Sequence, residues 1–333
     1  VDVDAYVIAH RSEWRRLEEL VSRRGRLDGA EVDELVTLYQ RVATHLSVIR
    51  SASPDPALVG HLSGVVARAR SAVTGASTPA WKDLARFFIV VFPAALYRSW
   101  RWWAAVAVAF VLVGFAIGGW VAVTPAAQAS LGSEAEIRQL VEEDFESYYS
   151  SEPAASFAGQ VWTNNAWIAA GCLALGIALG IPVLLILAVN VLNVGATGGL
   201  MAAAGRLDLF FGLILPHGLL ELTAVFVAAG FGLRLGWTVI DPGPRPRGDA
   251  LAQEGRAAGA VAIGLVVVLL VSGVIEAFVT PSGLPTAARI AVGMVALGAF
   301  LTYVVVLGRR AVRAGETGDL AADERGDVLP RVA

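Results

Sequence analysis

The sequence predicts an all-α protein, a polytopic membrane bundle of about six transmembrane helices with a cytoplasmic helical domain at its N-terminal side. Three observations predict it. Hydrophobic residues make up 56% of the 333 positions and charged residues only 17%, against about a quarter in an ordinary soluble domain. Mean hydropathy is +0.62. Beyond Arg86 the apolar residues gather into runs that reach the length a bilayer demands, about 20 helical residues at ~1.5 Å each. Residues 1–80 are polar by comparison and show no signal-peptide pattern, so a downstream span is expected to direct insertion.

Residues 1–80 read as a three-helix domain. Over residues 3–23, Tyr6, Val7, Trp14, Leu17, Leu20 and Val21 build one apolar face. Asp28, followed three positions later by Glu31, has capping-box spacing. It opens a helix reaching about Arg50, in which Leu35, Leu38, Val42, Leu46 and Ile49 recur at helical intervals. Residues 51–54 mark a turn, and a third helix is expected over 56–73. Residues 81–101 then read as an interfacial amphipathic helix. Trp81, Arg98, Arg101 and Trp102, with further arginines and phenylalanines between them, suit the headgroup zone at the start of the first span. A buried linker helix is the competing reading.

Spans are expected at about 102–124, 158–179, 183–203, 208–238, 257–279 and 285–308. Gly180-Ile181-Pro182 makes the second and third a tight hairpin. The fourth is too long for a perpendicular helix, so it should be tilted, or have a broken or re-entrant start ending at Pro216. Arg98 and Arg101 precede the first span, Arg245, Arg247 and Arg256 follow the fourth, and Arg309, Arg310 and Arg313 follow the sixth. The positive-inside rule places these regions in the cytoplasm, with both termini, and the bundle in the inner (plasma) membrane. Residues 125–157 then fall outside. They are acidic, with Glu134, Glu136, Glu142, Glu143, Asp144 and Glu146 against Arg138, and a short helix over 135–149 is expected across the outer mouth. Residues 309–333 read as a disordered cytoplasmic tail.

His217 and Glu221 lie four apart on one helix face inside an apolar run, where ionisable groups are costly and need explaining. Counted from Asp208 down a continuous helix they sit about 13 Å and 19 Å deep. Asn164 and Asn165 on the second span, Asn190 on the third and Glu276 near the outer end of the fifth reach comparable zones. These residues are predicted to converge in a buried polar cluster, since unpaired they would each cost several kcal/mol. Three readings compete. The cluster can lock the long fourth helix against its neighbours, line a polar cavity for a lipid headgroup, small solute or proton, or form a metal or general-base site. The zincin spacing His-Glu-x-x-His is absent, and the other histidines (His10, His45, His61) lie in the N-terminal domain. The metal reading therefore has no defined ligand set, and no cofactor is implied.

Several residues read more plainly. Gly176, Gly180, Gly195, Gly198 and Gly199 are close-packing positions. Arg234, at the end of the fourth span, can snorkel to the cytoplasmic surface. The single cysteine, Cys172, is a small buried side chain. The chain carries no Walker A sequence, dinucleotide fingerprint, serine elbow or aspartate-rich metal motif, and its net charge of −3 makes no case for nucleic acid.

The run Leu215-Pro216-His217-Gly218-Leu219-Leu220-Glu221-Leu222, continued by Ala229-Gly230-Phe231-Gly232-Leu233-Arg234-Leu235-Gly236, resembles the signature of the stage II sporulation protein M family. Trp162-Thr163-Asn164-Asn165, Asn190 and Ile275-Glu276-Ala277-Phe278-Val279-Thr280-Pro281 extend the resemblance over about 155–308, while the first hundred residues match in general character only. The resemblance implies an integral membrane component of the engulfment machinery that positions peptidoglycan-degrading partners, and it implies no catalytic residue. Residues and resemblance together predict a non-enzymatic cell-envelope scaffold contacting membrane lipids and envelope proteins, with homodimerisation through small-residue faces. The alternatives are a small-solute, proton or lipid transporter using the His–Glu cavity, and an intramembrane metal-dependent hydrolase.

Overall fold

A computed structural model describes residues 3–23, 26–51, 56–73, 80–147 and 154–319. Every regular element among them is helical. The chain divides into two units, Val1–Leu84 and Ala85–Ala333.

The first unit contains α1 (Val3–Ser22), α2 (Gly29–Ser51) and α3 (Pro56–Val73). The apolar faces expected from periodicity close on one core, with Trp14, Leu17 and Leu20 from α1 and Leu35, Leu38, Val42, Leu46 and Ile49 from α2, and α3 adds Leu62, Val65 and Ala69 to it. The capping box forms. The Glu31 N–H donates to Asp28 Oδ1 at 2.8 Å and the Asp28 N–H to Glu31 Oε2 at 3.2 Å, satisfying donors that a helix start otherwise leaves open. Arg16 forks onto the Glu34 carboxylate at 3.0 and 2.8 Å, tying α1 to α2. That bond holds the Glu34 carboxyl below its ordinary range. Of the turn expected at 51–54, only Ser51 is described, and it still belongs to α2.

The division between units falls inside α4 (Ala80–Arg86). A π-helical turn (Phe87–Val91), α5 (Phe92–Arg98) and α6 (Trp100–Val123) follow. Next come α7 (Pro125–Leu131), α8 (Glu134–Gln139), a second π-helical turn (Leu140–Asp144) and α9 (Phe145–Ser147). The long helices are α10 (Ala154–Leu175), α11 (Ile181–Ala203), α12 (Leu207–Ile240), α13 (Arg247–Phe278) and α14 (Thr286–Tyr303); a π-helical turn (Val304–Gly308) and α15 (Arg309–Arg313) prolong the last. Among the described residues, five helices are long and apolar enough to cross a membrane: α6, α11, α12, α13, and α14 with its continuation to Arg313. The helix expected as the second span, α10, has 22 residues. Gln160, Thr163, Asn164 and Asn165 make its first half less apolar than the other five.

The bundle is built around α12, which touches α6, α10, α11, α13 and α14. It is continuous over 34 residues with Pro216 inside it, so the broken or re-entrant start does not form. The helix runs on at the cost of one backbone hydrogen bond. Its length, about 50 Å, exceeds a ~30 Å hydrocarbon core. The five glycines predicted as close-packing positions do pack closely. Gly176 meets the Gly232 backbone, where α10 crosses α12. Gly180, at φ +74°, reverses the chain into α11 beside Leu179 at φ +58°. A Cβ at Gly195 or Gly199 would stand 3.0 or 2.7 Å from the Gly114 or Gly118 carbonyl oxygen of α6, and one at Gly198 3.1 Å from the Phe210 ring.

The single interfacial helix expected over 81–101 is instead three pieces, broken by the π-helical turn and by Ser99. Residues 92–96 are buried, with Phe92 against Gly264 of α13 and the Pro93 carbonyl against Gly308. The aromatic density that suggested a headgroup belt is core packing in this stretch: Phe87, Phe88 and Tyr303 gather around Phe92. Trp81 and Arg101 are exposed, and the Arg101 guanidinium lies 5.8 Å from the Trp100 ring centroid. Trp102 is half-buried and Arg98 is exposed. Arg98 donates to the Thr317 carbonyl, and partial desolvation of its guanidinium, then the nearby Arg234, pushes its pKa down.

Arg234 does not snorkel. It donates to Glu254 Oε1 at 2.8 Å and to Ser99 Oγ at 2.6 Å, because α5, α12 and α13 meet at its head. The tail is also ordered further than expected. Asp319 accepts both arms of Arg256 at 2.6 and 2.8 Å, and Glu316 lies 3.4 Å from Arg86. Residues 320–333 lie outside the described residues. At the opposite end of the bundle, Ala127 and Val141 join Val121, Leu200, Met201 and Phe210 in a small core. The one helix expected over 135–149 is α8, a π-helical turn and α9, opened by a Ser133–Glu136 capping box; residues 148–153 are outside the described set.

Candidate functional site

The buried polar site lies between α10, α12 and α13. On α12, His217 and Glu221 are one turn apart. On α13, Ser272 and Glu276 are also one turn apart, and Thr280 comes just past the helix end. A spacing of four returns each pair to one face. His217 Nδ1 is 3.2 Å from Thr280 Oγ1, and His217 Nε2 is 3.7 Å from Glu276 Oε1. Ser272 Oγ donates to the His217 carbonyl at 3.0 Å and lies 3.4 Å from Glu221 Oε2. Asn165 of α10 donates to the Val161 carbonyl at 3.1 Å and lies beside Glu221. His217, Asn165, Ser272, Glu276 and Thr280 are buried, and Glu221 keeps a partly exposed edge.

Four of the six predicted residues therefore meet: His217, Glu221, Glu276 and Asn165. Asn164 is exposed, because adjacent helical positions are about 100° apart and only one of the two asparagines can face inward. Asn190 donates to the Ile186 carbonyl of its own helix at 2.8 Å; α11 packs chiefly on α6, away from α13. Ser272 and Thr280 were missed. Their signal was present, since Ser272, Glu276 and Thr280 repeat every four residues, but hydroxyls in apolar helices usually bond their own backbone.

His217, Glu221 and Glu276 each offer a ligand atom, all within 4.8 Å of one another. Glu276 Oε2 is buried without a hydrogen-bond partner. This trio can hold a small cation or share a proton. Thr280–His217–Glu276 also has the hydroxyl–imidazole–carboxylate connectivity of a nucleophilic relay. Thr280 has no exposed surface, so no scissile carbonyl can reach it in this conformation. An apolar cavity of about 540 Å³ lies on the other side of α12, between Phe110, Gly114, Gly195, Gly218, Leu222 and Phe226, and does not open onto the trio. Ser272→Ala would strip the two contacts that Ser272 makes with the His217–Glu221 turn, and is expected to cost about 1–3 kcal/mol, read as a lower melting temperature of the purified protein in detergent.

Residues 4–75 match a domain of unknown function (DUF8413). No curated protein and no solved structure matches the chain. Residues 107–281, more than half of the chain and including every member of the polar site, match Stage II sporulation protein M. With its membrane-length helices, the chain belongs to the stage II sporulation protein M family of membrane proteins.

Proposed function

We propose that this protein is a non-enzymatic scaffold of the cell envelope that positions partner proteins at the inner (plasma) membrane, in a role related to the sporulation component for which its family is named. The observation that carries this reading is that buried polar groups of α12 meet those of α13 and of Thr280 just beyond it, which is how a fixed helical frame satisfies polar groups in a bilayer. Counting α10 as a sixth span is supported by its packing along α12 and α13, from Asn165 near Glu221 to Gly176 against Gly232. Arg98, Arg234, Arg245 and Arg256 share one end of the bundle with the segment that follows α15. The positive-inside rule puts that end, and both termini, in the cytoplasm.

On that orientation Glu134, Glu142, Glu143 and Asp144, all exposed, face outward as an acidic contact for envelope proteins. The weakly buried α6 and α14 meet lipid or a second copy. Crosslinking and co-purification from native membranes test the reading. A reproducible set of envelope proteins should be enriched, and should be lost when Glu142, Glu143 and Asp144 are replaced by lysine. If no envelope protein is enriched while Glu221→Gln abolishes flux of an identified solute, the scaffold reading is wrong. Transport of a proton or small solute is the second reading, favoured by the unpartnered Glu276 Oε2 and the partly exposed Glu221.

A further inference from the structure

We propose that the first unit carries a binding site for a divalent transition-metal ion of the zinc class, formed by His10, Glu13 and His45. His10 and Glu13 are three apart on α1, so they share a face, and α2 brings His45 onto it. His10 Nδ1 is 3.6 Å from Glu13 Oε1, and the two imidazole centroids are 4.0 Å apart. One ligand atom from each of the three residues lies within 4.8 Å of the others. Two nitrogens and a carboxylate oxygen make a donor set that zinc accepts, with a fourth position left for water or another ligand.

The strongest observation is what these groups lack. His10 Nδ1 and Glu13 Oε2 are buried atoms with no hydrogen-bond partner. Two buried polar atoms without partners in one cluster carry a desolvation cost that a folded core normally avoids. A cation would satisfy both. His45 is buried and its Nδ1 accepts the Trp14 indole N–H at 3.3 Å, a long bond. The same lone pair can pass to a metal, while Nε2 keeps the proton. Tyr6 covers the pair, its ring centroid 4.5 Å from His10 and 5.6 Å from His45. The side chains of His10 and Glu13 remain 28% and 30% exposed, which leaves an ion a way in.

The test uses the full chain in detergent, stripped with a chelator and titrated with zinc against a chromophoric competitor, and with cobalt followed by its visible absorption. Saturable binding of one ion by the first unit is expected. His10→Ala and His45→Ala should each weaken it by more than about tenfold, and Glu13→Gln, which keeps the side-chain volume, should do the same with helix content unchanged by circular dichroism. His61→Ala and His217→Ala should leave this site's affinity unchanged, which separates it from the membrane trio. Zinc should also shift tryptophan emission as the Trp14 N–H loses its acceptor, and Trp14→Phe should remove that shift. The proposal is overturned if no saturable binding is found, or if binding survives Glu13→Gln and His45→Ala but disappears with His217→Ala.

Discussion

Replacing Gly232 with valine is expected to abolish recovery of folded protein. A Cβ at this position would overlap the Cys172 carbonyl oxygen and sit 3.1 Å from the Val183 side chain. The nearest atoms are backbone, so no side-chain rotation relieves the contact. Helices α10 and α12 would have to separate, and with them Asn165 from Glu221 and the chain reversal at Gly180. Overpacking a tight core typically costs 1–3 kcal/mol; this backbone-on-backbone collision belongs at or above ~3 kcal/mol, a large part of the stability of a typical domain. Gly119→Val is the control, since a Cβ there meets nothing within 4 Å. Size-exclusion profiles in mild detergent should show a monodisperse peak for Gly119→Val and aggregate for Gly232→Val. Equal monodispersity would mean that the α10–α12 crossing is not what holds the bundle.

Removing the Glu254 carboxylate should come next in size. Glu254 is buried; Arg234 lies 2.8 Å from it and Arg245 3.6 Å, with Arg98 within electrostatic range. Glu254→Ala removes the carboxylate that Arg234 and Arg245 share and leaves these cations facing one another. Breaking one side of a buried pair costs about 3–5 kcal/mol. Because the Arg234 side chain is 18% exposed, water reduces that to about 2–4 kcal/mol. Arg245→Ala, at a 39% exposed side chain, should change stability by less than ~1 kcal/mol. Replacing Arg234 and Glu254 together by methionine should recover most of the loss, since apolar packing can stand in for a buried pair. Thermal melts of the three variants in detergent check this. If Glu254→Ala melts with the parent, the Arg-rich end is solvated and the pair does not bind α12 to α13.

Both results depend on contacts that local sequence signals describe only in part. The capping box at Asp28 and the apolar faces of α1 and α2 were legible, because a cap and a face are set within one or two helical turns. So were the membrane-length runs, since crossing a bilayer is a matter of length and composition. Gly176, Gly180, Gly195, Gly198 and Gly199 were recognised as close-packing positions, but not their partners. Residues 81–101 misled because aromatics beside arginines suit a headgroup zone and a helix junction equally; burial of residues 92–96 against α13 and the π-helical turn after α14 separates the two. Pro216 misled because a proline usually interrupts a helix, whereas here the packed neighbours of α12 hold it continuous.

The sequence by itself determined the fold class, the order of the helices, the family, and the identity of the costly residues His217, Glu221 and Glu276. Tertiary structure alone decided that Asn165 turns inward and Asn164 outward, that Thr280 closes on His217, that Glu254 takes Arg234, and that His45 joins His10 and Glu13. Propensity, capping and hydrophobic length are properties of neighbouring residues, so they can be read along the chain. Which polar groups meet depends on the rotation and crossing of helices far apart in sequence, and a turn of one residue, about 100°, moves a side chain from the interior to lipid or water.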